Sequence, residues 1–130
     1  MSGADVVRAF VDAFNAEDLD ALAETLSEDV EIQGSRGLVE GRAEAREWAT
    51  RRPSGDLHQR LVLDDVSERG GHVLATVRRQ WHWRDGDETA HEQELFYVAT
   101  IRDGLICRWA PYSDRAEAER AAGWSEPGVD

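Results

Sequence analysis

The stretch from His72 to Tyr112 constrains the fold more than any other part of the chain. It contains three runs rich in β-branched and aromatic residues, separated by Arg84-Asp85-Gly86 and by Arg102-Asp103-Gly104. In both turns glycine stands third, where a three-residue hairpin loop needs a residue in the left-handed conformation. We therefore expect three antiparallel strands that are joined by two such loops.

The lengths of these loops predict which residues share a face of the sheet. Trp83 should pair with Asp87, and Ile101 should pair with Leu105, and side chains alternate between faces along each strand. The face that we call the enclosed face should then carry Val73, Ala75, Val77, Arg79, Trp81, Trp83, His91, Gln93, Leu95, Tyr97, Ala99, Ile101, Leu105, Cys107 and Trp109. Such a mostly apolar face with a few polar groups is either a core whose polar groups are satisfied or the wall of a ligand pocket.

The composition limits the class of protein. With 130 residues the chain is long enough for one domain with a proper core. Its net charge of −12 disfavours binding to nucleic acids and to anionic membranes, because both depend on basic patches. No apolar run is long enough to span a membrane, the N-terminus lacks the pattern of an export signal, and Cys107 is the only cysteine. These features favour a cytoplasmic protein.

The rest of the chain predicts helices first and then the sheet. Apolar spacing and turn residues indicate helices at 4–15, 18–26 and 42–52, strands at 30–33 and 57–66, a plain connection at 34–41, a final helix that begins after Asp114, and a frayed tail at 125–130. This order is typical of an α+β domain. We expect a cone-shaped, strongly curved and mostly antiparallel sheet that wraps around the three N-terminal helices and leaves an open mouth.

Three segments of the chain resemble the nuclear transport factor 2-like superfamily, and within it the SnoaL-like and ketosteroid-isomerase-like branch. They are VVRAFVDAFNAEDLDALAETLSEDVEI, GLVEGRAEAREW and VATIRDGLICRWAPYSDRAEA. The resemblance extends over about residues 4–122, so that a single SnoaL-like domain is expected at 1–124. It implies the cystatin-like cone fold of that superfamily and says little about chemistry, because the fold hosts isomerases, hydrolases, cyclases, dehydratases and non-enzymatic domains.

Most of the catalytic residues of two branches of this superfamily are replaced here. Where ketosteroid isomerases have a tyrosine and two aspartates, the sequence has Phe10, Gly34 and Tyr97, of which only Tyr97 can donate a hydrogen bond. Where the limonene-epoxide-hydrolase-like branch has an arginine and two aspartates, the sequence has Arg79, Trp81 and Pro111. The resemblance therefore implies the fold and the pocket, and it argues against both of these chemistries.

Three polar residues of the enclosed face are the best candidates for catalysis. Arg79 needs an anion or several acceptors there, which a carboxylate or enolate of a ligand could supply, or else an acid from a helix. Tyr97 could donate to a substrate carbonyl, or its hydroxyl could be satisfied inside the core. His91 could act as a base, or it could pair with a charge at the rim.

The other residues of the expected pocket are mostly apolar or aromatic. The lining that we predict comprises Phe10, Phe14, Ile32, Trp48, Gln59, Val77, Trp81, Gln93 and Trp109. Its tryptophans could hold a flat ligand or could simply pack, and Trp83 is expected to pack or to contact a second copy. The four histidines lack the spacing of metal ligands, so no metal and no cofactor is predicted. Cys107 is expected to be an inert thiol with no basic neighbour.

Two functions remain open from these observations. The first is the binding of a small apolar or polycyclic ligand in an aromatic-lined pocket by an isomerase, cyclase or hydrolase. The second is a ligand-binding or dimerisation module without catalysis. The lack of an obvious acid–base pair favours the second, whereas an arginine and a tyrosine on an apolar wall favour the first. The resemblance also implies a homodimer through the other face of the sheet, the outer face, where Leu74, Phe96 and Val98 lie among charged residues.

Overall fold

The computed structural model describes residues 2–34, 37–50, 57–83 and 89–124. The turn predicted at 84–86, the end of the helix predicted at 42–52 and the tail at 125–130 lie outside the described residues. The elements in chain order are α1 (Gly3–Ala16), α2 (Leu19–Glu24), β1 (Leu26–Gly34), β2 (Gly37–Glu40), α3 (Arg42–Thr50), β3 (Leu57–Arg69), β4 (His72–Trp83), β5 (Thr89–Arg102), β6 (Leu105–Tyr112) and α4 (Arg115–Ala121).

The six strands form one sheet in the order β2-β1-β6-β5-β4-β3. Strands β1 and β6 are parallel, and the other neighbours are antiparallel. The α+β class and the mostly antiparallel sheet are therefore as predicted. Irregular pairing occurs in four of the five strand pairs, and such bulges bend the strands that contain them.

The N-terminal helices pack against the enclosed face of the sheet. Helix α1 begins at Ser2, whose hydroxyl accepts from the amide of Asp5, and α2 begins at Asp18, whose carboxylate accepts from the amide of Ala21. The apolar stripe of α1 is buried and forms the core together with Leu22, Leu26, Val30, Ile32, Val73, Ala75, Val77, Tyr97, Ala99, Ile106 and Trp109, among others. The amphipathic pattern of the sequence thus placed α1 correctly.

The turn between β5 and β6 is shorter than predicted. Arg102 pairs with Leu105, so only Asp103 and Gly104 lie in the loop, and both have positive φ (55° and 78°). Two left-handed residues make a two-residue hairpin turn, which aspartate and glycine both tolerate. The predicted pairing of Ile101 with Leu105 is therefore wrong, because Ile101 pairs with Ile106.

A bulge between Thr100 and Ile101 changes which residues of β6 face the core. On the side of the bulge away from the turn, Ala99 lies opposite Trp109, so Trp109 faces inwards as predicted. On the side next to the turn, Ile106 is fully buried, whereas Leu105 and Cys107 are only half-buried. The assignment of Leu105 and Cys107 to the enclosed face was wrong, since the extra residue at the bulge shifts the alternation by one.

The segment predicted as a plain connection at 34–41 contains a strand. Strand β2 pairs antiparallel with β1, and Val39 lies opposite Ile32 and packs against the core. Gly37 makes the tight return possible because it has a φ of 126°, a conformation that other residues rarely adopt.

Helix α4 lies on the outer face of the sheet. It begins at Asp114, as predicted, and its Ala118 and Ala122 are buried against Leu74 and Val98. The indole of Trp124 then donates to the carbonyl of Arg69 at 3.0 Å. The apolar residues that the sequence assigned to a contact between two copies are therefore covered by the chain's own last helix.

Candidate functional site

Residues on the enclosed face of β4 and β5 share one side of the sheet, as the sequence predicts. The register of these two strands differs from the prediction by two residues, because a pairing of Trp83 with Asp87 would have placed Arg79 opposite His91. Arg79 lies opposite Gln93 on β5 and opposite Leu61 on β3. Trp81 lies opposite His91 on β5 and opposite Gln59 on β3. Because opposite residues in antiparallel strands point to the same side, these side chains share one wall.

Three aromatic rings fill the interior next to this wall. Trp109 is 1% exposed, and its ring lies 4.8 Å from the ring of Phe10 and 4.5 Å from that of Tyr97, measured between centroids. The rings of Trp109 and Tyr97 are stacked, with 15° between their planes. Trp109 therefore belongs to the packed interior next to this wall, in contact with both of these rings.

Arg79 is a half-buried cation that has no carboxylate partner among the described residues. Its Nη2 donates to the side-chain oxygen of Gln93 at 3.1 Å, and its guanidinium lies over the ring of Trp81 at 4.7 Å. Its Nε is buried and has no hydrogen-bond partner within the part of the chain that the structure describes. Among the same residues no carboxylate forms an ion pair with Arg79. The alternative that Arg79 pairs with an acid from a helix therefore has no support in the described ranges.

Tyr97 lies in the interior beside Arg79. Burial raises the pKa of its hydroxyl above the ordinary value, and the charge and hydrogen bonding of the Arg79 guanidinium oppose this shift. Burial disfavours the phenolate, so that the hydroxyl stays protonated at neutral pH and remains a hydrogen-bond donor.

Trp81 and His91 lie at the solvent-exposed end of this wall. The two rings are 5.0 Å apart between centroids, and His91 is exposed to solvent. Since Arg79 also contacts the indole of Trp81, this indole connects the cation of the wall with the imidazole at the rim. On the helical side, Phe14 contacts Trp48 with 5.9 Å between ring centroids.

The predicted pocket residues fall into two groups by exposure. Phe10, Ile32, Val77 and Trp109 are fully buried in the core, whereas Phe14, Trp48, Gln59 and Trp81 are half-buried and Gln93 is exposed. Only the second group, with Arg79 and His91, lies where a ligand could reach it. Sequence reasoning missed that Gln93 binds Arg79, because the predicted register placed His91 opposite Arg79, and only the shared face of the two residues was available as a signal.

Cys107 is a free, half-buried cysteine beside the bulge of β6. The nearby Arg102 side chain of β5 donates to Asp29, and this hydrogen bond is the main cause that raises the pKa of Arg102. That the Cys107 thiol is inert stays a prediction.

Other kinds of site find no support in the described ranges. Within them, no group of three or more histidine, cysteine and acidic side chains could hold a metal ion. None of the helices there combines the length and the apolar content that crossing a bilayer requires. A separate cleft of about 360 Å³ lies between α1 and β3, and it does not include Arg79.

Comparison with known proteins identifies relatives of the whole domain. The profile of the SnoaL-like domain matches residues 7–109, whereas no curated protein sequence matches significantly. A proposed polyketide cyclase of Pseudomonas putida is 25% identical, has a TM-score of 0.72, and is aligned over 88% of this chain and 92% of that one. An LEH-like epoxide hydrolase of M. tuberculosis is 19% identical, with a TM-score of 0.71 and coverage of 90% and 86%. A proposed ketosteroid isomerase of Kribbella flavida is 19% identical, with a TM-score of 0.65 and coverage of 83% and 74%.

Proposed function

Because this chain belongs to the SnoaL-like domain family, we propose that it binds a small, flat and largely apolar ligand and polarises one ligand oxygen with Arg79, in a reaction of the isomerase or cyclase type. The observation that carries the proposal is the half-buried Arg79 guanidinium, whose Nε lacks a partner among the described residues. A buried N–H without an acceptor costs about 1–3 kcal/mol, and a ligand oxygen that accepts from it regains this free energy.

The geometry around Arg79 favours an oxygen with developing negative charge. Gln93 engages one arm of the guanidinium and Trp81 supports its plane, so the group is held in place before a ligand binds. Fixed donors of this kind stabilise an enolate more than they stabilise the neutral carbonyl from which it forms. Tyr97 is only 5% exposed, so in this proposal Arg79 is the donor that the ligand reaches, and Tyr97 supports the guanidinium from the interior.

His91 is the base in this proposal. Its ring and the Arg79 guanidinium contact the same indole, so a flat ligand against Trp81 is within reach of both groups. His91 removes a proton from the carbon next to the ligand carbonyl, and the electron pair moves to the carbonyl oxygen, which Arg79 holds. Return of the proton from His91 to another carbon completes an isomerisation. In a cyclisation, the enolate carbon attacks a second carbonyl of the same ligand, and the alkoxide that forms takes up the proton that His91 had removed.

Hydrolysis is the less supported of the reactions that the fold hosts. Within the described part of the enclosed face on β3, β4 and β5, the acidic residue is Glu68, which lies opposite Val73. Its carboxylate accepts from the amides of Gly3 and Ala4, and it is seven positions along β3 from Leu61, the residue opposite Arg79, so it is not placed to activate a water molecule there. The similarity to a proposed polyketide cyclase, at 25% identity, supports an enolate reaction in preference to hydrolysis.

Exchange of ketone protons tests the reaction without knowledge of the natural substrate. We expect the protein to accelerate the exchange of the α-protons of 2-tetralone in D₂O, followed by NMR. Arg79→Met should lower the acceleration by about 100-fold, the usual effect of losing one oxyanion donor, and His91→Gln by a similar factor. Arg78→Met is the matched control, because Arg78 is on the same strand but faces outwards and binds Asp64. Equal rates for the two arginine variants would refute the role of Arg79.

A ligand-binding module without catalysis is the alternative, and the exposure of His91 and the tight packing of Trp109 favour it. Comparison of naphthalene, 2-naphthol and 2-naphthoate as probes, by quenching of tryptophan fluorescence, distinguishes the two functions. Binding of the oxygen-bearing probes that depends on Arg79, in a protein that does not accelerate the exchange of 2-tetralone, would establish the alternative.

We further propose that two copies associate through the part of the outer face that α4 leaves open. This part carries alternating charges, with Arg78 bound to Asp64 at 2.8 Å and 3.7 Å from Glu92. A surface with both charges in close proximity can match a second copy of itself around a two-fold axis. Sedimentation velocity should give the mass of a dimer that dissociates at high salt, and a monomer at all protein concentrations would contradict this proposal.

A further inference from the structure

Strand β3 forms one edge of the sheet and would be open to pairing over its whole length if nothing covered it. It extends from Leu57 to Arg69, pairs with β4 along one side and has no neighbouring strand of the described sheet along the other. The backbone N–H and C=O groups on the other side of an edge strand form a template for a further strand, and proteins usually block such edges.

The side chain of Asn15 occupies the centre of this edge. Its Nδ2 donates to the carbonyl of Leu61 at 2.8 Å, and its Oδ1 accepts from the amide of Leu61 at 2.8 Å. One carboxamide thus makes both of the hydrogen bonds that the N–H and C=O groups of one residue of an antiparallel neighbouring strand would make. Asn15 is near the end of α1, and 46 residues separate it from Leu61.

The same two bonds show which other backbone groups face the open side. Leu61 directs its N–H and C=O away from β4, and the pairing of β3 with β4 is regular from Leu57 to Leu63. Because these groups alternate in direction, the N–H and C=O groups of Gln59 and Leu63 also point away from β4. The cleft of about 360 Å³ between α1 and β3 gives an incoming strand access to this edge.

We propose that Asn15 takes the place of a partner strand and so prevents the β3 edges of two copies of this chain from pairing. An antiparallel pair of β3 strands centred on Leu61 is its own complement around a two-fold axis, with Gln59 of one copy opposite Leu63 of the other. Removal of the carboxamide therefore releases an edge that suits a second copy.

The variant Asn15→Ala tests this proposal, because alanine keeps α1 helical and removes both bonds. By sedimentation velocity, its mass at high protein concentration should be twice the wild-type mass. Hydrogen exchange gives an independent readout. In the wild type the Leu61 amide should exchange slowly and those of Gln59 and Leu63 quickly, whereas in the assembled variant the Gln59 and Leu63 amides should become protected.

A second substitution identifies the edge as the contact. Asn15→Ala combined with Gln59→Pro should return to the wild-type mass, since proline removes the outward N–H of residue 59 and is tolerated on an edge strand. A folded Asn15→Ala variant that keeps the wild-type mass and leaves the Gln59 amide unprotected would overturn the proposal. If Asn15→Ala does not fold, Asn15→Asp keeps the acceptor for the Leu61 amide and loses the donor, and unchanged mass or unfolding of this variant would also overturn the proposal.

Discussion

Truncation of Trp109 is the sharpest test of how the interior is packed. The variant Trp109→Ala removes a ring that is 1% exposed and in contact with the rings of Phe10 and Tyr97. Replacing a buried tryptophan by alanine costs about 3–5 kcal/mol, because apolar burial is lost and a cavity remains. Domains have free energies of unfolding of about 5–15 kcal/mol, so this loss is a large part of the total.

Urea unfolding followed by far-UV circular dichroism measures this free energy without relying on tryptophan fluorescence. We also expect the melting temperature to fall by about 10–20 °C for a domain of this size. Trp83→Ala is the matched control, because Trp83 is 46% exposed and its removal should change the free energy of unfolding by less than about 0.5 kcal/mol.

Indole should restore part of the lost stability if Trp109→Ala leaves a closed cavity. At a concentration of ten times its dissociation constant, a ligand of the folded state adds about 1.4 kcal/mol. A cost below about 1 kcal/mol for Trp109→Ala, with no effect of indole, would refute the reasoning, because it would mean that Trp109 lines an open pocket and is not packed on both faces.

Three further predictions concern a helix end and two titrating groups. Glu68→Ala should lower the free energy of unfolding by about 1 kcal/mol, because Glu68 accepts from the amides of Gly3 (3.0 Å) and Ala4 (3.2 Å) at the start of α1, and an unchanged urea midpoint would contradict this role. Asp29→Asn should make stability less sensitive to acid. The hydrogen bond from Arg102 lowers the pKa of Asp29 below 3.8. The stabilising contribution of Asp29 is therefore present above that value and is lost as the pH falls through the pKa of the folded state. Equal acid sensitivity of the wild type and the variant in urea titrations would contradict this. Burial raises the pKa of Tyr97, so the contribution of this residue to the free energy of unfolding is complete below the ordinary pKa of 10.0 and is lost at higher pH. Tyr97→Phe should therefore leave the part of the ultraviolet tyrosine titration near this value unchanged. Loss of that part in the variant would refute the raised pKa of Tyr97.

The sequence was sufficient for the enclosed face of β4 and β5. Residues that alternate between apolar and polar determine the side to which each strand residue points, so the polar residues of β4 and β5 share the face that was predicted. The pairs Arg79–Gln93 and Trp81–His91 did not follow, because the predicted hairpin loop gave a register shifted by two residues. The bounds of α1 and the caps at Asp18 and Asp114 also followed from local patterns. These features depend on interactions within a few residues or on a simple period.

The register of β6 could not be predicted in the same way. The sequence Arg102-Asp103-Gly104 fits both a three-residue loop and a two-residue turn, since aspartate as well as glycine tolerates positive φ. Packing selects the shorter turn and adds a bulge, which buries Ile106 and leaves Cys107 half-buried.

The sequence alone determined the α+β class, the antiparallel direction of the strands from β4 to β6 and the residues of β4 and β5 that share the enclosed face, because hydrophobic alternation is a local property. Only the tertiary structure decided that Gln93 engages Arg79, that Trp109 packs between Phe10 and Tyr97, and that Asn15 binds the edge of β3. These contacts join residues that are between 12 and 99 positions apart, and their geometry depends on how helices and sheet pack together, which no local pattern encodes.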